Sequence, residues 1–107
     1  MSIHHVDLEK LLEPSYVQEV TETVGFWEFS IEGMDKKLRI KVQKYPDGRY
    51  MGITNFAIKN PYQESPYQSL TLKSSVQEAI EDALGGFLLY WHPKDAEKTE
   101  LIPNESF

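Results

Sequence analysis

The chain has 107 residues, of which 40% are hydrophobic and 12% aromatic, and it contains no cysteine. This length fits one domain, and the aromatic content argues against a disordered chain. Seventeen acidic and 11 basic residues give a net charge of −6, which disfavours a nucleic-acid or anionic-membrane surface spread over the whole molecule. The absence of cysteine excludes disulfides, thiolate metal sites and cysteine nucleophiles.

The N-terminal residues lack the apolar core of a signal peptide. The longest apolar stretch, residues 83–91, falls far short of the ~20 residues that span a bilayer. We therefore expect a cytoplasmic protein without a membrane anchor. Asp7 is placed to cap a short helix that Pro14 would end, whereas residues 15–24 suit a helix and a strand about equally.

From Val24 onward, apolar and polar residues alternate, which predicts strands. The first strand places Trp27, Phe29 and Ile31 on one face, and the second, after a turn-rich connection, places Leu38, Ile40 and Val42 on one face. The segment Tyr45–Arg49 contains Pro-Asp-Gly and predicts a hairpin turn. A third strand is predicted from residue 50 to residue 58, completing an antiparallel meander.

The second half of the chain predicts a loop, a short strand and a helix. Residues 59–68, KNPYQESPYQ, form the loop, and the alternating segment 69–73 suits a short fourth strand. Ser75 and Glu78 have the spacing of a capping box, and apolar residues then recur at helical spacing as far as Trp91. Gly85 and Gly86 within this helix indicate a kink or a close approach to the sheet backbone.

These elements predict an α+β fold of two layers. A three- to four-stranded antiparallel meander packs against one C-terminal amphipathic helix at residues 75–91, and a short helical segment precedes the sheet. The domain is expected to span residues 1–94. Residues 95–107 are expected to form a mobile charged tail.

Two segments resemble the antitoxin domain of the HicB type, a truncated relative of the double-stranded-RNA-binding fold. Residues 44–53, KYPDGRYMGI, match that family's D-G-x-Y-x-[AG] hairpin, and residues 75–84, SVQEAIEDAL, match its [ST]-x-x-E-A helix start. The resemblance covers about half of the chain. It implies a domain that binds a small toxin partner and self-associates. The family's P-D-L-P-G-C-type loop is absent here, no DNA-binding segment follows the helix, and an additional aromatic strand precedes the hairpin.

The sequence contains no recognisable catalytic motif. It lacks G-x-S-x-G, H-E-x-x-H and a Gly-rich phosphate loop, and no Ser-His arrangement supports a nucleophile. His4, His5 and His92 do not have the spacing of metal ligands, so we expect neither a metal nor a cofactor. Glu28, between two aromatic residues, is interpreted as a solvent-facing strand residue.

One local feature hints at an anionic partner. Six of the 11 basic residues lie within fourteen positions, and Arg39 and Lys41 share the outer face of the second strand. A solvated strand with edge-protecting lysines explains this pattern better than nucleic-acid contact. The six are Lys36, Lys37, Arg39, Lys41, Lys44 and Arg49.

We expect the protein to be an interaction module, either a homodimer or the partner of another small protein. One helix covers one face of the sheet, and the opposite face is expected to carry Phe26, Tyr50, Phe56 and Ile58. The N-terminal segment could cover that face instead of a second copy. Contact candidates are Tyr62, Tyr67, Phe26, Tyr50, Phe56, Arg39 and Lys41.

The alternative function is a small-ligand-binding protein or a minor enzyme. Gly85 and Gly86 would make room for a pocket between helix and sheet. That pocket would be lined by Trp27, Tyr62 or Tyr67.

Overall fold

The predicted meander is present as an antiparallel sheet in the computed structural model, which describes residues 6–107. Its strands are Glu22–Phe29 (β1), Leu38–Lys44 (β2) and Tyr50–Thr54 (β3). A two-residue strand, Leu72–Lys73 (β5), pairs with β3, so the strand order is β1-β2-β3-β5. The turn between β2 and β3 forms as the sequence predicts, with Gly48 in the left-handed region at φ 84°.

The predicted helix spans Val76–Tyr90 (α2). The Glu78 backbone N–H donates to the Ser75 hydroxyl at 3.1 Å, which caps the first turn. The Glu78 carboxylate accepts hydrogen bonds from the Ser74 and Ser75 hydroxyls at 2.6 and 3.1 Å. These bonds, the one from Ser74 foremost, hold the pKa of Glu78 below its ordinary value, with a smaller contribution from the charge of Lys73.

The sheet and α2 form the two layers of an α+β fold, which confirms the predicted fold class. On the sheet, Leu38, Ile40 and Val42 are fully buried, and Ala79, Ala83 and Phe87 face them from the helix. Leu88, which the helical pattern places in the core, is 40% exposed. The core therefore lies under one narrow face of the helix.

The helix approaches the sheet backbone closely at Gly52, not at the helix glycines. A Cβ atom at Gly52 would collide with the Ala79 carbonyl oxygen and lie 3.0 Å from the Ala83 side chain. Gly86 instead faces the Tyr67 ring, and Gly85 faces open space. The helix continues through both glycines.

The third predicted strand is broken at Asn55. Its second half, Phe56–Lys59 (β4), leaves the main sheet and pairs with Glu100–Pro103 (β6) in a separate two-stranded sheet. The Asn55 side chain accepts from the Arg39 N–H at 2.8 Å and donates to the Lys37 carbonyl at 3.3 Å, and its own N–H donates to the Arg39 carbonyl at 2.9 Å. These long-range bonds end the pairing of β3 with β2.

The C-terminal segment is packed against the domain, so its prediction as a separate tail from residue 95 is corrected. Pro93–Lys98 forms a 3-10 helix, β6 follows it, and Leu101 packs on the core. This segment is rich in charged residues, and its short apolar stretch, Leu101-Ile102, has no periodic pattern that would predict packing. The stretch forms a strand because it pairs with β4.

The N-terminal segment lies beside the turn between β2 and β3. Asp7 caps a one-turn helix, Leu8–Leu11 (α1), by accepting from the Glu9 and Lys10 N–H groups. Leu8 is buried, and residues 18–21 border Tyr45 and Pro46. No helix within residues 6–107 is long and apolar enough to cross a membrane.

Candidate interaction surface at strand β1

Strand β1 is an edge strand of the main sheet. The hydrogen bonds of the neighbouring strand show which β1 backbone groups point toward the open edge. The N–H and C=O of Arg39 both bond to Asn55, so they point toward β3 and away from β1. Arg39 lies opposite Glu28, and opposed residues of an antiparallel pair exchange either both hydrogen bonds or neither. The backbone groups of Glu28, and by alternation those of Phe26, therefore face the open edge.

A bulge divides β1 into an irregular and a regular part. The register with β2 shifts between Thr23 and Gly25, whereas residues 25–29 pair without interruption with residues 42–38. The regular part thus presents a short edge in which only the Phe26 and Glu28 backbone groups point outward. Bulges commonly end regular strand pairing at sheet edges.

The helix leaves β1 largely uncovered. Its main contacts are with β3, and it makes smaller ones with β2, β4 and β5. On the helix side of β1, Trp27 folds back over Gly25 and remains half-buried. On the opposite side, Phe26 is 55% exposed. Apolar groups therefore flank the open edge on both faces.

The outer face of β1 and β2 is covered in part by the last residues of the chain. The Lys41 ammonium donates to the Ser106 and Phe107 main-chain oxygens at 3.0 and 2.7 Å and is part-buried in doing so. The Phe107 ring meets the Phe26 ring edge-on, with centroids 6.0 Å apart. The Arg39 guanidinium lies 5.3 Å from the Phe107 ring centre, within cation–π range.

Asn104 fixes this covering segment to the break between β3 and β4. Its N–H donates to the Asn55 carbonyl at 2.9 Å, and its side chain donates to the Thr54 carbonyl at 3.1 Å. The cover on this face is thus the C-terminal segment, not the N-terminal segment that the sequence offers as an alternative. The sequence does not identify Phe107 as a packing residue, because no apolar residues lie at strand or helix spacing beside it.

Several of the clustered basic residues already have partners. Arg39 pairs with Glu28 at 3.4 Å on an exposed surface, where such a pair contributes little to stability. Arg49 pairs with Asp47 at 2.7 Å. Hydrogen bonds from the Arg49 N–H, and then from its guanidinium, lower the pKa of Asp47. Because Phe107 also covers Lys41, these clustered basic residues offer fewer free cations than the sequence suggests.

The predicted apolar outer face is wrong in its third strand. Tyr50 shares the helix-side face with Gly52, since the two are two residues apart on β3. Phe56 and Ile58 lie on β4 and are buried in the core beside Phe87. The alternation itself continues across Asn55, since Gly52, Thr54, Phe56 and Ile58 are all buried, so the prediction assigned the two faces of the third strand the wrong way round. The outer face carries Met51 and Ile53 instead.

The two loop tyrosines have different environments. Asn60 is buried and anchors the loop, because its side chain donates to the Tyr90 carbonyl at 3.0 Å and accepts from the Tyr62 N–H at 2.9 Å. Tyr67 packs on the Tyr90 ring at 4.8 Å, whereas Tyr62 is 77% exposed. Phe26, Arg39 and Lys41 are thus the contact candidates that the structure brings together.

The pocket of the alternative function does not form from the expected residues. Trp27 lies over its own strand, Tyr67 fills the space beside Gly86, and Tyr62 points to solvent. A cleft of about 500 Å³ opens elsewhere, between Gly33–Lys36 and the 3-10 helix. The Trp91 indole N–H at this cleft already donates to the Glu32 carbonyl at 2.7 Å.

Metal-binding groups are not assembled in the part of the chain that the structure describes. Within residues 6–107, no group of three or more His, Asp or Glu side chains is placed to hold a metal ion. His4 and His5 lie outside the described residues.

Comparison with known proteins provides no family assignment. The chain matches no family model, no curated protein and no solved structure.

Proposed function

We propose that this protein is a small interaction module that self-associates through the open edge of β1. The observation that carries the proposal is the outward direction of the Phe26 and Glu28 backbone groups on a strand with apolar side chains on both faces. An exposed edge of this kind readily adds another strand. The HicB-type resemblance, which implies self-association and binding of a small protein, agrees with this mode.

The proposal is tested by sedimentation velocity on wild type and two variants of one position. Glu28→Pro removes the outward N–H, whereas Glu28→Thr keeps it and suits a strand. Both variants lose the ion pair with Arg39, so they differ in the edge hydrogen bond. We expect wild type and Glu28→Thr to dimerise at high micromolar concentration and Glu28→Pro to remain a folded monomer.

A wild type that stays monomeric at high micromolar concentration would contradict the proposal. So would a Glu28→Pro protein that dimerises as tightly as wild type. Circular dichroism establishes that each variant is folded.

A further inference from the structure

The open edge of β1 permits only a few ways for two copies to pair. The backbone N–H and C=O groups of Phe26 and Glu28 point away from β2, so in an antiparallel pair with a second copy these two residues must occupy the hydrogen-bonded positions. Phe26 can therefore face the second copy's Phe26 or its Glu28, or Glu28 can face Glu28. These choices differ by a two-residue shift of one strand along the other.

Two of the three registers conflict with features of the strand. Pairing Glu28 with Glu28 sets like charges directly opposite each other, which is destabilising. It also extends the contact to Ser30, beyond the end of β1. Pairing Phe26 with Phe26 sets Glu28 opposite Val24, which lies in the bulge and has no regular partner on β2.

The remaining register uses the regular part of the strand completely. With Phe26 opposite Glu28, residues 25–29 of one copy lie against residues 29–25 of the other, and the bulge stays outside. Trp27 then faces the Trp27 of the second copy at the centre of the contact. Large aromatic residues at the centre of an interface commonly dominate its affinity.

The outer face is also compatible with this register. Each Glu28, already paired with Arg39 at 3.4 Å, lies beside the other copy's Phe26. Phe26 in turn lies beside Lys41 of its own copy across the β1–β2 pair. Across the junction the order of side chains on this face is Arg39, Glu28, Phe26 and Lys41, so no like charges lie directly opposite each other.

From this geometry, and resting on the self-association proposed above, we infer that two copies pair antiparallel through β1 with Trp27 on the two-fold axis. The result is one continuous eight-stranded sheet with the strand order β5-β3-β2-β1-β1-β2-β3-β5. The bulge at Val24 and the charge of Glu28 are the features that select this register.

Disulfide trapping distinguishes the registers, and the absence of native cysteine means that only the introduced thiols can react. Phe26→Cys and Glu28→Cys proteins are prepared separately, mixed and oxidised in a glutathione buffer. All three possible pairs occupy hydrogen-bonded positions with Cα atoms ~5.5 Å apart, which a disulfide spans, so their intrinsic geometry is matched. Mass spectrometry then identifies which two chains each disulfide joins.

We expect the mixed disulfide, which joins a Phe26→Cys chain to a Glu28→Cys chain, to exceed either homodisulfide several-fold. Replacing Glu28 relieves the repulsion in the Glu28–Glu28 register, so the experiment is biased against the inference. A predominant disulfide between two chains of the same variant would overturn the register while leaving edge pairing intact. Sedimentation of the reduced mixture detects the other failure, in which no dimer forms and the proposed function is itself wrong.

Discussion

The end of the main sheet formed by β3 and β5 and the end formed by β1 differ in what covers them. Around β3 the helix lies so close that Gly52 has no room for a Cβ atom, and the residues beneath it are fully buried. At β1 the helix is absent, the edge is unpaired and Phe26 is more than half exposed. The same alternating pattern therefore builds a packed core in one place and a surface suited to pairing in the other. The covered end should govern stability, and the open end should govern association.

Phe87→Ala should produce the largest change at the covered end. Phe87 is 1% exposed and lies in the centre of the core cluster. Its removal should lower the free energy of unfolding by about 3–5 kcal/mol, because it combines lost burial with a large cavity. Urea denaturation measures the loss, and Leu89→Ala, at a position that is 70% exposed, is the control. Equal losses in the two variants would contradict the helix packing.

Gly52→Ala and Gly85→Ala should have opposite effects. At Gly52 the added methyl group meets the Ala79 carbonyl, so the helix must shift and the free energy of unfolding should fall by about 1–3 kcal/mol. At Gly85 the methyl group meets nothing within 4 Å, and the better helix propensity of alanine should stabilise the protein by about 1 kcal/mol. Thermal denaturation of the pair tests this assignment. Stabilisation by both substitutions would show that the close approach is elsewhere.

The features that the sequence predicts correctly are those that depend on neighbouring residues. The hairpin turn and the helix cap depend on neighbouring residues, so Asp47-Gly48 and Ser75 could be identified from the sequence. The break at Asn55 depends on bonds to Arg39 and Lys37, which are distant in the chain. The wrong face for Phe56 has another cause, because alternation groups residues on one face of a strand without showing which face packs against the helix. Gly52 had a usable signal, since a glycine within a strand and alanines four apart on a helix together indicate close packing.

The candidate surface was predictable only in part. Phe26, Arg39 and Lys41 could be placed on one face by alternation alone. The segment that covers them could not, because Phe107 reaches that face through β6 and Asn104, and neither has a local signal. That β1 has no strand paired on its outer edge likewise follows from the strand order, which alternation does not specify.

Phe107→Ala should have a smaller effect than the core substitutions. The ring contacts Phe26, Arg39 and Lys41 on a partly exposed surface, so its loss should lower the free energy of unfolding by about 1 kcal/mol. Glu105→Ala, at an exposed position of the same segment, is the matched control and should be neutral. An unchanged free energy of unfolding in Phe107→Ala would contradict the packing of Phe107 on the outer face.

Ser74→Ala should have the smallest effect on the folded protein. It removes the stronger hydrogen bond to the Glu78 carboxylate, so the pKa of Glu78 should rise toward its ordinary value. Because the folded-state pKa is lowered, the stabilisation is present above the unfolded pKa and is lost as pH falls through the folded pKa. An NMR titration of Glu78 in both proteins measures the shift. An unchanged pKa would exclude the Ser74 hydrogen bond as the cause.

Amide hydrogen exchange at β1 tests the central claim most directly. In dilute protein the Trp27 and Phe29 amides should be protected by β2, whereas the Phe26 and Glu28 amides should exchange rapidly from the open edge. At high micromolar concentration the Phe26 and Glu28 amides should gain protection as a second strand pairs with them. Fast exchange of these two amides at every concentration would contradict self-association through β1, and protection already in dilute monomer would contradict the open edge itself.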